Sequence, residues 1–315
     1  MTEPPSTPPN TVPIPSRAVL DAFRVPSDGP GNSPVPLSGG QGRSVLVGGY
    51  VFKPAEGAEE EAEWGTAVWE ELVPNGGFRV PRPLRAADGR CVVDGWTASE
   101  FLPGEPGPQG HWDGVLAAGR AFHAALKGVP RPAFLDRRTH PWAVADRVAW
   151  GERDIEAAAD LAAPLAALRE AWRPVNEEAA QLIHGDLTGN VLFGGGGGGG
   201  GTQGASSCGA ASYEPPTVID FSPYWRPPLF AEAVVVVDGL LWFDRPAGLL
   251  TDGGAHPDWP QLLIRALIFR LVAQSELAAA GGLAPGEWER ERERYEVAAD
   301  AVVRMARRGP GDRVR

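Results

Sequence analysis

The chain has 315 residues, a net charge of −11 and a pI near 5.0. This charge argues against nucleic acid as the main partner, because binding to polyphosphate needs a basic surface, although it could favour a cationic substrate. No apolar run of about 18 residues is present, and the start lacks the basic and apolar regions of a secretory signal, so we expect neither a membrane span nor secretion. The two cysteines, Cys91 and Cys208, fit neither a disulfide framework nor a zinc site, which favours a reducing compartment such as the cytoplasm.

The N-terminal segment is polar and rich in proline. We predict that residues 1–15 are disordered and place the end of this tail at residue 30. The remainder is long enough for two domains or for one domain with two lobes. We divide it into a small, mostly β lobe over 31–104 and a mainly helical lobe over 105–315, with a flexible Gly/Ser-rich insertion over 194–216.

The first organised segment, 35–54, contains "SVLVGGYVF", which predicts two short strands joined at Gly48-Gly49. Just before it lies "SGGQG", a loop whose backbone N–H groups are little shielded by side chains. Such a loop can lie over phosphates, although a turn without a ligand is the commoner case. The candidate phosphate-binding residues are Gly39, Gly40, Gln41 and Gly42.

Lys53 ends the second of these strands and is one of only two lysines among 29 basic residues. Lysine is a compact charge suited to contacting a phosphate, where arginine presents a broad planar fork. A solvent-exposed strand end explains it equally well. The acidic segment 56–72 then predicts a helix, one of whose acids could pair with Lys53.

Residues 79–104 predict two further strands around Asp88-Gly89, ending at a Pro-Gly break. Amphipathic spacing beyond this point predicts several helices, over 114–126, 142–156, 160–175, 260–279 and 287–308. The fourth is apolar enough to be a core helix, and the charges of the last suit a solvated face. His123, within the first, is expected to be packed rather than catalytic.

Between these helices stand "AQLIHGDLTGNVLF", a run of glycines and "TVIDF". "NVLF" and "TVID" predict a hairpin whose turn is enlarged by the glycine run, because loop-closure entropy grows slowly with length. The hairpin would bring Asp186, Asn190 and Asp220 to one end. Two aspartates and an asparagine supply the hard oxygen ligands that Mg²⁺ prefers. With a Gly-rich loop and a lone strand lysine, they form the set that phosphoryl transfer from a nucleotide requires.

"IHGDLTGNVLF" followed by "VIDF" resembles the catalytic and metal-binding motifs of the aminoglycoside phosphotransferase and choline kinase-like superfamily, relatives of the protein kinases. The resemblance runs from about residue 35 to about residue 275. Segments such as "GFRVPRPLR" and "SPYWRPP" are most similar to an actinobacterial branch of it. The resemblance implies an α+β, two-lobed protein-kinase-like fold with a small β-rich N-lobe and a larger helical C-lobe.

By this resemblance, Asp186 is the catalytic base, and Asn190 and Asp220 hold Mg²⁺. Lys53 contacts the α- and β-phosphates of ATP, and Glu63 or a neighbouring acid orients Lys53. The hinge against which adenine lies comes from backbone groups of Glu100, Phe101 and Leu102. His184 has a structural role in this motif, hydrogen-bonding backbone near Asp220.

Two departures from the family pattern stand out. The asparagine usually follows the catalytic aspartate by five residues, and here Asn190 follows Asp186 by four. Either the loop tightens, which Gly189 permits, or Asn190 does not reach the metal. In addition, Pro227-Pro228 replaces the usual "GDP" stretch after the metal aspartate, which predicts a stiffer loop.

These features predict an ATP-dependent phosphotransferase that acts on a hydroxyl or amine of a small polar metabolite or aminoglycoside-like molecule. The alternative is a nucleotide-binding pseudo-kinase without turnover, and a protein kinase is disfavoured because no "APE"-like end of an activation segment follows Asp220. Asp238 and Glu232 could contact a cationic acceptor, but they could equally cap helices.

Overall fold

The computed structural model describes residues 12–29, 32–37, 42–55, 58–155, 161–194, 214–246, 256–280 and 287–307. Its elements in chain order are α1 (Arg17–Ala22), β1 (Val35–Pro36), β2 (Val45–Val47), β3 (Tyr50–Pro54), α2 (Glu59–Glu71), β4 (Trp96–Glu100), β5 (Glu105–Pro106), α3 (Trp112–Ala125), α4 (Phe134–Arg137), α5 (Pro141–Ala149), α6 (Ala162–Ala171), β6 (Gln181–His184), β7 (Val191–Phe193), β8 (Thr217–Val218), β9 (Pro223–Arg226), α7 (Pro228–Trp242), α8 (Trp259–Ala279) and α9 (Glu287–Arg307). No helix within the described ranges combines the length and apolar character that crossing a membrane requires.

The chain forms two compact units. The first takes its residues from Met1–Pro74, Arg79–Glu105 and Leu192–Asp220, and the second from Asn75–Phe78, Pro106–Val191 and Phe221–Arg315. The first unit contains an antiparallel sheet in the order β1-β2-β3-β4. Gly48 and Gly49 join β2 to β3 with φ of 56° and 85°, as the predicted two-residue turn requires, so this hairpin is confirmed.

Helix α1 belongs to the core of the first unit. Ser16 caps it by accepting a hydrogen bond from the amide of Val19. Val19, Leu20 and Phe23 are buried against Phe52 of β3 and its neighbours. The prediction that the tail is disordered to residue 30 is therefore wrong for this segment, because its apolar side chains complete a core that no local pattern reveals. Residues 1–11 lie outside the described ranges.

The approach to β4 also differs from the prediction. A turn does form at Asp88-Gly89, where the amide of Gly89 donates to the carbonyl of Ala86. The hairpin turn that leads into β4, however, is Asp94-Gly95, with φ of 47° and 76°. Prolines 81 and 83 remove backbone donors from the segment before it, so only isolated bridges form there.

The second unit is built around α8, which packs against α5, α7 and α9. Most side chains between Trp259 and Ala273 are buried, which confirms the predicted core helix. Helix α9 buries the face that contains Tyr295, Ala298 and Val302, as its amphipathic pattern predicts. Strands β6 and β9 pair antiparallel, with His184 opposite Pro223.

The strands predicted at "NVLF" and "TVID" form as β7 and β8, which are neighbours in a three-stranded sheet with β5. Residues Leu192–Asp220, which include most of both strands, belong to the first unit.

Candidate active site

The HGD motif begins where β6 ends. The amide of Gly185 donates a 2.9 Å hydrogen bond to the carbonyl of Ser222, which continues the pairing of β6 with β9. A Cβ atom at position 185 would overlap the ring of Tyr224. Glycine is therefore required here by close packing, and this packing fixes the direction in which the chain leaves β6.

Two histidines support the backbone of the motif. The amide of His184 donates to Nε2 of His123 at 3.0 Å, and Nδ1 of His184 accepts from the amide of Asp186 at 3.1 Å. Burial, and secondarily the neighbouring His184, lower the pKa of His123 to about 3. His123 is 2% exposed, which confirms that it is packed, and as a neutral ring it serves as a hydrogen-bond acceptor. The expected contact of His184 with backbone near Asp220 stays a prediction.

Asp186, the predicted base, projects from this loop with 42% of its side chain exposed. Its Oδ1 atom accepts a 2.7 Å hydrogen bond from Nη2 of Arg270 on α8. The same guanidinium donates through Nε and Nη2 to Asp238 on α7, at 2.7 and 2.6 Å. Asp186 is thus half-exposed for a substrate and held on one side by a buried ion-pair network.

Arg270 is itself fixed by its surroundings. Its side chain is 4% exposed, and its guanidinium carbon lies 5.4, 5.7 and 5.3 Å from the ring centroids of Trp142, Trp242 and Phe269. Burial alone would lower the pKa of Arg270, but Asp238 and Asp186 together raise it above its ordinary value. For Asp238, burial raises the pKa and Arg270 opposes that rise. The charge at Arg270 is permanent.

The shortened loop between Asp186 and Asn190 closes as a tight turn. Gly189 adopts a φ of 82°, and the amide of Asn190 donates to the carbonyl of Leu187 at 3.0 Å. The side-chain Nδ2 of Asn190 donates to the main-chain oxygen of Asp186 at 2.7 Å and approaches its Oδ2 at 3.2 Å. The loop therefore tightens, and the role of Asn190 as a metal ligand stays a prediction.

In the first unit, Lys53 and Asp220 form a direct ion pair although 167 residues separate them in the sequence. Although 35% of the Lys53 side chain is exposed, burial of its ammonium lowers its pKa to about 8, and the carboxylate favours the charged form. Asp220 has a φ of 52°, an uncommon conformation outside glycine that occurs often at functional sites. The pair brings the predicted phosphate ligand to the predicted metal ligand, so Lys53 is more than an exposed strand end.

Glu63 lies on an exposed face of α2, and the ion pair that the structure shows for Lys53 is with Asp220. That Glu63 or a neighbouring acid orients Lys53 stays a prediction. The acidic helix places several carboxylates near its own N-terminus, where the helix dipole favours them.

The remaining nucleotide-binding candidates are in the first unit. Gly39, Gly40 and Gln41 lie outside the described residues, and Gly42 adopts a φ of 67°. Glu100 ends β4, the amide of Phe101 donates to the carbonyl of Gly49 at 3.0 Å, and Leu102 follows. These positions stay predictions as adenine contacts.

Asp238 and Glu232, the acids considered for a cationic acceptor or for helix caps, do not cap α7, because both lie within it. Asp238 is fully buried against Arg270, and Glu232 accepts hydrogen bonds from Arg120, one of them 3.0 Å long between Nε and Oε1. Contact of either acid with a cationic acceptor stays a prediction.

The oxygen atoms of the predicted metal ligands suit Mg²⁺, because a carboxylate at Asp220 and an amide oxygen at Asn190 are both hard donors. Asp220 belongs to the first unit and Asn190 to the second. Within the described ranges, His, Cys, Asp and Glu side chains form no group of three or more that could hold a metal ion. Asn190 and Asp220 therefore stay predictions as metal ligands.

The sequence does not predict the contacts that two residues, Arg270 and His123, make in this site. Arg270 is one arginine in a chain rich in arginine, and only the packing of α7 on α8 pairs it with Asp186 and Asp238. The sequence does contain one signal for Arg270. It is a charged residue inside the apolar run "LIFRLV", and a buried charge needs a partner. His123, expected to be packed, additionally orders the backbone of the motif.

A family model described as the phosphotransferase enzyme family matches residues 35–202. A comparison with curated proteins finds no match. Among solved structures, the chain is similar to an aminoglycoside phosphotransferase from Alicyclobacillus acidocaldarius subsp. acidocaldarius DSM 446, with 16% identity and a TM-score of 0.56 over 95% of this chain and 97% of that one.

Two other solved structures show the same likeness. A choline/ethanolamine kinase family protein from Mesorhizobium loti matches with 16% identity and a TM-score of 0.53, over 89% of this chain and 92% of that one. The amicoumacin kinase hAmiN, in complex with AMP-PNP, Ca²⁺ and Ami, matches with 15% identity and a TM-score of 0.54, over 90% and 92%. These likenesses show the fold, and they confirm the predicted α+β, protein-kinase-like class.

Proposed function

Because the chain belongs to the phosphotransferase enzyme family, whose model covers more than half of it, we propose that it transfers the γ-phosphoryl group of ATP to a hydroxyl or amine of a small polar molecule. The ion pair between Lys53 and Asp220 carries this proposal. A lysine that contacts the phosphates of a nucleotide and an aspartate that holds the metal ion on those phosphates are expected to lie close together, as Lys53 and Asp220 do. The buried, reduced Cys91 suits a reducing compartment, so we place the reaction in the cytoplasm.

Asp186 is the base in this proposal. It orients the acceptor through the oxygen that Arg270 does not hold, and it takes the proton as the acceptor atom bonds to the γ-phosphorus. The bond from that phosphorus to the β,γ-bridging oxygen breaks at the same time, and ADP leaves with the electron pair. Asp186 then returns the proton to solvent.

Lys53 contacts the α- and β-phosphates, and Gly39 to Gly42 approach them through backbone amides. Glu100 to Leu102 offer backbone groups to adenine. Asn190 and Asp220 hold Mg²⁺, which when bound would neutralise charge on the β- and γ-phosphates. The nucleotide and divalent cation bound to the amicoumacin kinase, a protein of similar fold, support this assignment.

The test uses γ-labelled ATP, Mg²⁺ and a mixed metabolite extract with the purified chain. We expect labelled small-molecule products that disappear in an Asp220→Asn variant and with EDTA. Asp300→Asn, on the exposed face of α9, is the matched control and leaves product formation unchanged. A wild-type chain that neither binds Mg-ATP nor labels any metabolite contradicts the proposal.

The second candidate is a nucleotide-binding module without turnover. The observation that favours it is the tight turn at Gly189, which directs the Asn190 amide onto Asp186. A thermal shift with Mg-ATP that is unchanged by Asp186→Ala, together with no labelled product, would select this candidate over the phosphotransferase.

A further inference from the structure

We propose that an arginine-lined cavity of the second unit binds a small oxyanion, either a free phosphate ion or the phosphate group of a metabolite. The walls of this cavity come from the segment 131–138, from α5 with Glu152 just after it, and from β9. All of these residues belong to the second unit. The site goes beyond the proposed phosphotransferase function and does not rest on it.

The size of the cavity suits a small ligand. Its volume is about 230 Å³, whereas sites that enclose a drug-sized molecule measure roughly 300–1,000 Å³. Its lining residues, all within the described ranges, include none of the HGD motif. Tyr224 lines the cavity and also packs against Gly185, so the cavity adjoins the motif. A single ion, or one charged group of a larger molecule, fits this space.

The charge of the lining is positive. Four of the lining side chains are arginines and three are carboxylates, which leaves a net charge of +1. Arg226 donates to Asp146 at 3.0 and 2.7 Å and to Glu152 at 2.7 Å. Arg131 donates to Asp136 at 2.8 and 2.6 Å. Two of the four arginines therefore engage all three carboxylates of the lining.

Arg147 supplies a guanidinium whose contacts do not cancel its charge. Its Nη2 atom donates to the main-chain carbonyls of Leu135, Asp136 and Arg138 at 3.3, 3.0 and 2.7 Å. Carbonyl oxygens are neutral, so these contacts hold the side chain in place and leave its charge uncompensated. Within the described part of the chain, its Nε and Nη1 atoms donate to no protein acceptor. A fixed guanidinium with unused N–H groups is well suited to phosphate oxygens.

Tyr224 adds a hydroxyl donor. The residue is 7% exposed, and its hydroxyl makes no hydrogen bond with any residue that the structure describes. Burial raises the pKa of this hydroxyl, Asp146 adds to the rise and Arg138 opposes it, so the hydroxyl lies near charged groups of the cavity and stays protonated. Buried polar groups usually have a hydrogen-bond partner. An oxyanion in the cavity offers an acceptor to this hydroxyl as well as to Arg147.

The first test is isothermal titration of the full chain with inorganic phosphate at pH 7 and constant ionic strength. We expect saturable binding that Arg147→Met weakens by about tenfold or more, because it removes a charge-assisted hydrogen bond. Tyr224→Phe loses no protein hydrogen bond and should fold normally, yet it should weaken binding by about threefold or more. Arg304→Met, at an exposed position of α9, is the matched control and should bind as the wild type does.

A second pair of variants tests the sign of the charge. Glu152→Gln removes a half-exposed carboxylate from the cavity and leaves Nη1 of Arg226 less compensated, so it should tighten phosphate binding by about threefold or more. Glu170→Gln makes the same charge change at an exposed arginine-paired carboxylate outside the cavity, and it should leave the affinity unchanged. Unchanged or weaker binding in Glu152→Gln would overturn the inference.

Phosphate bound at the proposed nucleotide site is distinguished by Lys53→Met, which should keep the binding described here. Glycerol phosphate shows the source of the anion: tighter binding than inorganic phosphate indicates a metabolite, and equal or weaker binding indicates the free ion. The inference is overturned if the wild type shows no saturable binding. It is also overturned if folded Arg147→Met and Tyr224→Phe keep wild-type affinity. Neither result bears on phosphoryl transfer, which the labelling assay measures separately.

Discussion

At the scale of single residues, the candidate site depends on groups that hold the reacting side chains in place. His123 accepts a hydrogen bond from the backbone of His184, and Arg270 donates to Asp186. Both supporting residues are buried, and both lie far from the motif in sequence. The orientation of Asp186 therefore depends on the packed interior of the second unit, and 42% of its side chain stays exposed.

The protonation of His123 gives a pH prediction. Its ordinary pKa is 6.5 and its pKa in the folded chain is about 3, so between these values the unfolded chain binds a proton that the folded chain does not. Stability is therefore lost as the pH falls below 6.5. From pH 7 to pH 5 this residue should account for a loss of about 2 kcal/mol.

Urea unfolding at pH 7 and pH 5 measures this loss. His123→Gln keeps an acceptor for the His184 amide but cannot titrate, so it should lose about 2 kcal/mol less than the wild type between the two pH values. An equal loss in both proteins would show that His123 does not stay neutral in the folded state.

At the scale of elements, short segments position the site. The β6–β9 pair directs the chain into the HGD motif, and Lys53 lies near the end of β3, the second strand of its hairpin. The tight turn at Gly189 keeps Asn190 next to Asp186 despite the missing residue. Close backbone packing at Gly185 and core burial of α1 are the two features most open to test.

Gly185→Ala should lower the free energy of unfolding by about 1–3 kcal/mol, because its methyl group would overlap the Tyr224 ring in a packed interior. Gly65→Ala, within α2 and with open space around it, is the matched control and should raise stability by up to about 1 kcal/mol. Chemical denaturation distinguishes them. A Gly185→Ala chain as stable as the wild type would contradict the close packing.

Helix α1 should be part of the cooperative fold. Phe23→Ala removes a ring that packs edge-on against Phe52, with 5.8 Å between ring centroids, and should cost about 3–5 kcal/mol. Asp21→Ala, at an exposed position of the same helix, should change stability by less than about 0.5 kcal/mol. Similar small effects of both substitutions would mean that the segment does not contribute to the core.

At the scale of the whole molecule, the sequence predicts those helices and turns whose formation depends mainly on neighbouring residues. Three local patterns each predict an element without reference to the rest of the chain: the paired glycines 48 and 49, the apolar run of α8 and the amphipathic pattern of α9. The sequence does not predict helix α1, because its few apolar residues are buried only against the sheet. Asp94-Gly95 and Asp88-Gly89 are equivalent turn signals in the sequence, and the bridge between Val93 and Trp96 places the turn into β4 at the first of them.

The candidate site divides in the same way. Asp186, Asn190 and Asp220 stand in recognisable motifs, whereas the partners of Lys53 and Asp186 depend on long-range packing. The ion pair of Lys53 with Asp220, a residue 167 positions away, shows how far such a partner can lie in the sequence. Arg270, which donates to Asp186, resembles many other arginines of this arginine-rich chain until α7 and α8 pack together.

The central claim is that this chain is a phosphotransferase with Asp186 as its base. It is tested most directly by the initial rate of Mg-ATP-dependent labelling of small molecules by Asp186→Asn, with nucleotide affinity measured on the same protein. The account predicts a rate lower by about 10²–10⁴-fold at unchanged affinity for Mg-ATP. A wild-type labelling rate in Asp186→Asn would contradict it.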